Sequence, residues 1–399
     1  MYFAVLREPS PEARVALVPD IVRQITDLGH QVGVEAGAGL HAQYPDPLYE
    51  EAGAAIETDR NVLLGRAHVV AAIRAPDDLH AVRSGTILIA LLSPLVQPDR
   101  MQELAGLGLA SFSLDALPRI SRAQSMDVLS AMSTVSGYRA TIVAAERAHR
   151  FLPMLMTAAG TVKPARVLVL GAGVAGLQAV ATAHRLGAVV QAFDARPVVK
   201  EQVESLGASF LTLPDVKAEG SGGYARAVGA DEEAREQEFL AGPVRTADIV
   251  ITTAMVPGRR APLLITAEMV ASMHPGAVIM DLAAETGGNT AVTVPGSVIE
   301  HAGVVVDGST DWPSQMAQPA SQLYSRNMFN FIKLLWEQGL KSDDGATAPT
   351  LPELEDEILR STLITRNDQV VHEPTLTRLH PANPADAAGN LHDSEGGRD

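Results

Sequence analysis

Over the first 115 residues, short apolar runs alternate with stretches whose apolar positions recur every three or four residues. MYFAVLRE reads as a strand, and 19-PDIVRQITDLG-29 as a helix with Asp20 near its start and Gly29 past its end. QVGVEAG is the next strand, followed by a helix from about Pro45 to Gly53. HVVAAIRAP and TILIALLSP follow as strands, then DRMQELAGLG as a helix and ASFSLD as a strand. Strands alternating with helices specify a parallel sheet, since each parallel crossover needs a helix's length of chain.

From Val128 to about Ala158 the pattern predicts one long helical stretch, kinked or ended at Pro153 and serving as a connector. A second strand–helix series then places strands at RVLVLG, VVQAFD, ADIVITTA, AVIMDLA and GVVVDGS. A helix near 321-SQLYSRNMFNFIKLLWEQGL-340 is expected to pack back onto the first domain. The expected fold class is therefore α/β, with two Rossmann-like, doubly wound parallel-sheet domains and an interdomain cleft. The first domain is discontinuous, 1–128 plus 308–340, and the second covers 129–307. Residues 341–399 read as a polar, partly disordered tail in which ILRSTLITRNDQVVHEPTL holds one short hairpin.

Length agrees with two domains, because 399 residues exceed one ordinary core. The net charge of −16 argues against nucleic acid and against an anionic membrane surface. The absence of cysteine removes disulfides, thiol catalysis and Cys-ligated zinc. The eleven histidines are scattered, with no HExxH, so no metal site is expected. No secretory signal is visible, and the longest apolar run, 86-TILIALLSPLV-96, is about half of the ~20 residues a spanning helix needs. A membrane role would fall to another chain.

The chemistry-bearing motif is 166-RVLVLGAGVAGLQAVATAHRLGAVVQAFDAR-196, with Gly171, Gly173 and Gly176 in G-x-G-x-x-G spacing between a strand and an Ala-rich helix. Gly171 permits a tight turn, Gly173 lets backbone approach a pyrophosphate, and Gly176 lets helix and strand pack closely. The helix N-terminus supplies N–H groups and positive dipole to the anion. Asp194 stands 23 residues after Gly171, where it would accept the adenosine ribose hydroxyls and repel a 2′-phosphate. NAD(H) is the implied cofactor, although Arg196 is the residue type that accepts that phosphate in other sites. The cofactor-binding set on this reading is Gly171, Ala172, Gly173, Val174, Gly176, Asp194, Ala195 and Arg196. Two later strand ends, 251-ITTAMVPGRRAP-262 and 281-DLAAETGGN-289, are either plain βα turns or further cofactor contacts, Ala254 first among them. The glycine-rich 219-EGSGGYARAVG-229 is either a linker or a flap over the cofactor.

One motif remains, 118-PRISRAQSMDVLSAM-132. Gln124, Asp127 and Ser130 are spaced by three and can share one helical face, where they would orient a carboxamide and ribose. The competing reading is a solvated helix start capped by Ser121 and Asp127.

PRISRAQSMD, GAGVAGLQA, FDARPVVKEQVESLGA, ITTAMVPGRRAP and DLAAETGGN together resemble the NAD(H)-binding component of proton-translocating nicotinamide nucleotide transhydrogenase. So do REPSPEARVALVP and VEAGAG, and the resemblance spans roughly residues 1–340. It implies that Arg119, Gln124 and Asp127 hold the nicotinamide end of NAD(H), with Ser130 beside them, as the catalytic set. It also implies that Tyr224 rides on a mobile flap and that the component is a homodimer. The implied activity is direct hydride transfer to or from NADP(H) on a beta subunit, coupled to proton movement through membrane-spanning subunits. The implied location is cytoplasmic, peripheral to the inner membrane.

Alanine dehydrogenases are similar over the same length, and they use an amino-acid site with a lysine and a catalytic histidine. The matching places here read 70-VAAIRAP-76 and 88-LIALLSP-94, and the missing histidine weighs against that chemistry. Arg14 and Arg74 are then expected to be structural relics or salt-bridge partners of acidic groups. A non-catalytic NAD-sensing protein is the third class.

Overall fold

The computed structural model describes residues 1–213, 230–256, 259–341, 349–351 and 354–380. They form two compact units, one of Met1–Met132 with the described residues from Pro313 on, the other of Ser133–Trp312. The expected flap with Tyr224, and the segment 381–399, lie outside the described residues.

The first unit opens with β1 (Tyr2–Val5), α1 (Pro19–Asp27), β2 (Gln31–Glu35), α2 (Asp46–Glu51), β3 (Ala55–Glu57) and α3 (Arg60–Arg66). It continues with β4 (Val69–Arg74), β5 (Ile87–Leu91), α4 (Pro98–Gly106) and β6 (Ala110–Ser113). The helix α5 (Val128–Arg147) carries the chain into the second unit. There follow β7 (Leu155–Thr157), β8 (Gly160–Val162), β9 (Arg166–Leu170), α6 (Val174–Arg185), β10 (Val189–Phe193), α7 (Lys200–Ser205) and β11 (Ser209–Leu211). Then come α8 (Ala230–Thr246), β12 (Ile249–Thr252), α9 (Ala267–Ala271), β13 (Val278–Asp281), β14 (Val298–His301) and β15 (Val304–Asp307). The chain returns to the first unit with α10 (Ala317–Glu337), α11 (Glu357–Thr362), β16 (Leu363–Arg366), β17 (Gln369–Val370) and α12 (Glu373–Leu379).

The sheet of the first unit runs β17-β16-β6-β5-β4-β1-β2-β3, parallel throughout except for β16 and β17. Strand β1 is buried along its whole length, as a central parallel strand covered on both faces must be. Helix α10 is tied to this unit by hydrogen bonds from Val15 N to Ser321 Oγ and Val18 N to Ser325 Oγ, each 3.0 Å. Buried Tyr324 donates to the Ala72 carbonyl in β4 at 2.9 Å. The expected tail hairpin forms as β16 and β17, yet it does not stand alone, because Leu363 pairs with Phe112 of β6.

The sheet of the second unit runs β11-β10-β9-β12-β13-β15-β14, with β14 antiparallel at its edge. Alternate residues of β9 serve opposite faces. Val167 and Val169 meet Ala140, Ala144, Ala179 and Ala183 of α5 and α6, while Leu168 and Leu170 meet Leu240, Val244 and Val270 of α8 and α9. Helices on both faces make this unit doubly wound.

The single helical stretch expected from Val128 to Ala158 is corrected. Helix α5 ends at Arg147, His149 turns the chain at φ 43°, and residues 155–162 form the hairpin β7–β8. Met154 and Met156 gave that segment a helix-compatible composition. Among the described residues no helix is long and apolar enough to cross a membrane.

Candidate functional site

In the second unit, β9 delivers the chain to Gly171, whose φ of 95° only glycine adopts freely. A Cβ on Gly176 would sit 1.8 Å from the Gly171 carbonyl oxygen, so this helix–strand approach also requires glycine. A Cβ on Gly173 would meet nothing within 4 Å, leaving open space in front of the α6 N-terminus. Val174, the first residue of α6, is 43% exposed there. This combination of open backbone, first-turn N–H groups and positive dipole end is suited to a phosphate-bearing ligand.

Asp194 sits at the end of β10 with all of its acceptor capacity used. Its Oδ2 accepts from Ala172 N at 2.7 Å and Arg196 Nη2 at 2.8 Å. Its Oδ1 accepts from the backbone N and the Nε of Arg196, each at 2.9 Å. The side-chain hydrogen bonds that Arg196 donates to Asp194 raise the pKa of Arg196, so the cation is secured rather than free. The structure thus joins Gly171, Ala172, Asp194 and Arg196 in one patch, with Ala195 half-buried between the last two.

Thr253 N donates to the Leu170 carbonyl at 2.7 Å and Thr253 Oγ1 to the Gly171 carbonyl at 3.0 Å, fixing the loop after β12 to the glycine turn. Ala254 follows, half-buried. Sequence reasoning placed Thr253 among the neighbours of Ala254 but missed this anchoring role. It also missed Gly137 of α5, where a Cβ would lie 2.1 Å from the Ala175 carbonyl oxygen, so that glycine lets α5 approach the first turn of α6.

In the first unit the polar motif forms a 3-10 turn, Ser121–Met126, resting on buried Ala123 and Met126, with Arg119 and Gln124 exposed. The common helical face expected for Gln124, Asp127 and Ser130 is corrected. Asp127, at ψ 89°, breaks the turn from α5, so Gln124 and Ser130 lie on different elements. Asp127 instead caps α5, accepting from Ser130 N at 2.9 Å and Ser130 Oγ at 2.5 Å. Asn327 and Asn330 of α10 both donate to the Ser125 carbonyl at 2.9 Å, and Arg122 pairs with Asp356 at 2.5 Å. These three anchors lie some 200 residues from the motif in sequence (|i−j| 202, 205 and 234) and left no signal there.

Arg14 is fully engaged elsewhere in this unit. Its Nε and Nη2 donate to Glu12 at 2.7 and 2.5 Å, and Arg74 Nε lies 3.6 Å from the same carboxylate. Burial would raise the Glu12 pKa, but the hydrogen bonds and charge of Arg14 outweigh it and hold the group at about 2. Ser93, at φ 50°, has its backbone N bound to Asp115 and offers no group that titrates near neutrality.

Comparison with known proteins assigns the family. Residues 4–136 match the family model described as alanine dehydrogenase/PNT, N-terminal domain, and residues 140–373 match its C-terminal domain. The chain belongs to the alanine dehydrogenase/PNT family. It is an enzyme of an oxidoreductase family. A Rhodospirillum rubrum protein, named as the first part of NAD(P) transhydrogenase subunit alpha, is 43% identical over 388 residues, spanning 94% of this chain and 99% of the relative. A transhydrogenase crystal structure from Sinorhizobium meliloti superposes with a TM-score of 0.83 at 41% identity, covering 93% of this chain and all (100%) of that one. An alanine dehydrogenase of Halomonas elongata is 30% identical over 359 residues, 86% of this chain and 91% of the relative. Within the family, sequence places this chain nearer the transhydrogenase subunits than that dehydrogenase.

Proposed function

We propose that this chain is the peripheral NAD(H)-binding alpha subunit of a proton-translocating transhydrogenase. NAD(H) bound here supplies or receives a hydride directly from NADP(H) on a partner subunit, and separate membrane subunits couple the exchange to proton movement. The observation that carries the reading is the glycine turn opening onto the α6 N-terminus beside a secured Asp194.

Each residue then has a physical task. Gly171, Ala172, Gly173, Val174 and Gly176 present backbone N–H groups to a pyrophosphate. Asp194, Ala195 and Arg196 meet the adenosine ribose, and Tyr224 covers the adenine side. Ala254 borders the nicotinamide half. Arg119, Gln124 and Asp127, with Ser130, orient the carboxamide and ribose so that one ring face is presented. No acid or base is required, since a hydride moves without a proton, and the catalytic contribution is alignment and exclusion of water. The subunit acts at the cytoplasmic face of the inner membrane as a homodimer.

Amino-acid oxidation is disfavoured by the pairing of Arg14 with Glu12 and by Ser93 standing where a titrating group is needed. The deciding experiment is reduction of acetylpyridine-NAD by NADPH, with and without an added NADP-binding transhydrogenase domain. Activity that appears only with the added domain is expected. Inactivity in both cases, from protein that binds NADH, overturns the reading.

A further inference from the structure

Asp281 ends β13 with no solvent exposure and, among the described residues, no cationic hydrogen-bond partner. Five donors converge on it instead. Oδ1 accepts from Thr252 Oγ1 at 2.9 Å and Ala283 N at 3.1 Å. Oδ2 accepts from Asn289 N at 2.8 Å, Thr290 N at 3.2 Å and Thr293 Oγ1 at 2.5 Å. Burying a carboxyl group this way is costly unless every acceptor site is met, and here the Oδ2 donors all come from one segment, residues 289–293. The turn that leads into it passes close enough that a Cβ on Gly288 would lie 2.8 Å from Asp281 Oδ2.

The turn delivers the side chain of Asn289, also fully buried. Its Oδ1 accepts from Ala254 N at 3.1 Å, and its Nδ2 donates to the carbonyls of Ala254 at 2.9 Å and Pro262 at 2.8 Å. The amide therefore pairs with residue 254 as a neighbouring strand would, two residues beyond the end of β12. Because the N–H of Ala254 is taken and its carbonyl already accepts from Asn289, that residue presents a ligand chiefly with its methyl group. Thr253, next to it, is bonded to Gly171, so the chain of contacts runs from Asp281 through Asn289 to the glycine turn.

We propose that Asn289, held by Asp281, is the positioning residue that fixes Ala254 as a rigid apolar wall for the nicotinamide half of the cofactor. The inference rests on the reading of this unit as an NAD(H) site. Among the described residues, the hydrogen bonds of the Asn289 and Asp281 side chains reach neither the glycine turn nor Asp194 directly, which predicts a split between binding and chemistry. The test uses the full chain with Asn289→Ala and the isosteric Asn289→Asp, which loses both donated hydrogen bonds but keeps the volume.

For both variants the dissociation constant for NADH should stay within about 3-fold of the parent, since the anchoring subsites are intact. Turnover with the NADP-binding domain should fall about 10- to 100-fold, the scale of a small misplacement of reacting groups. The nicotinamide fluorescence of bound NADH should move toward that of the free cofactor. Unchanged turnover with an unchanged bound spectrum overturns the proposal. So does a parallel loss of NADH affinity and melting temperature, which marks a purely structural role. If the parent chain transfers no hydride, the functional reading fails separately, and the bound-NADH spectrum of the variants still decides the role of Asn289.

Discussion

Asp194 and Arg196 form a single unit, and that changes what each can do. A carboxylate offers about four acceptor positions, and Ala172 and Arg196 fill all four. A ribose diol must therefore displace part of the arginine to reach Asp194, whereas a 2′-phosphate meets a cation already neutralised. Asp194→Asn removes the charge that holds Arg196 and leaves the guanidinium available. NADH affinity should fall about 10- to 100-fold while NADPH affinity rises, so that their ratio shifts by more than tenfold, as read by fluorescence titration of each cofactor. A ratio left at its parent value would reduce Asp194 to a clamp on the glycine turn. Glu8 carries a different prediction. Burial, with the nearby Glu12 charge, raises its pKa from 4.5 to about 7 against the lowering effect of the Ile73 N–H bond. The folded chain then holds this proton more tightly than the unfolded one. Stability from Glu8 is present below pH 4.5 and is lost as pH rises toward and through 7. Glu8→Gln keeps an acceptor for Ile73 and removes the titration. It should stabilise the protein at pH 8 by up to ~3 kcal/mol and leave it nearly unchanged at pH 4.5, measured by denaturant melts at both.

The long strands, and helices such as α1 and α10, were legible because their apolar periodicity is strong. β1, β2, β4, β5 and β9 read directly from apolar runs, and α1 from its amphipathic spacing and the Gly29 stop. What escaped notice were the elements whose stability is tertiary. β3, β11 and β14 are three or four residues long, half exposed, and exist because a neighbouring strand offers a free edge. β16 joins its sheet against β6 from about 250 residues away, a pairing no local pattern encodes. The cofactor cradle was legible because glycine spacing reports a local backbone need. Its supports were not. Asn289, Thr253 and the Asn327–Asn330 pair act through side-chain bonds to distant backbone, and an asparagine in a Gly-rich turn looks the same whether it anchors a loop or faces water.

The charge of the chain and its exposed hairpin pull against each other over self-association. A net charge of −16 makes two copies repel. Yet among the described residues β7 and β8 pair only with one another, and an isolated two-stranded ribbon has little stability of its own in water. Around it Phe151 is 58% exposed, Met154 56%, Met156 78% and Val162 40%, a local concentration of apolar surface on an otherwise acidic protein. The homodimer proposed above would cover that surface with a second copy. If so, the apolar contact drives association and the charge opposes it, so raising salt should tighten the dimer by screening the repulsion. Met156→Asp combined with Phe151→Asp should shift the protein to monomer at micromolar concentration in sedimentation velocity. NADH affinity should remain within about 3-fold, because none of the cradle residues lies on the hairpin. A dimer that survives both substitutions would place the interface elsewhere. A parent protein that is already monomeric would leave the hairpin exposed for a different partner and end the homodimer reading.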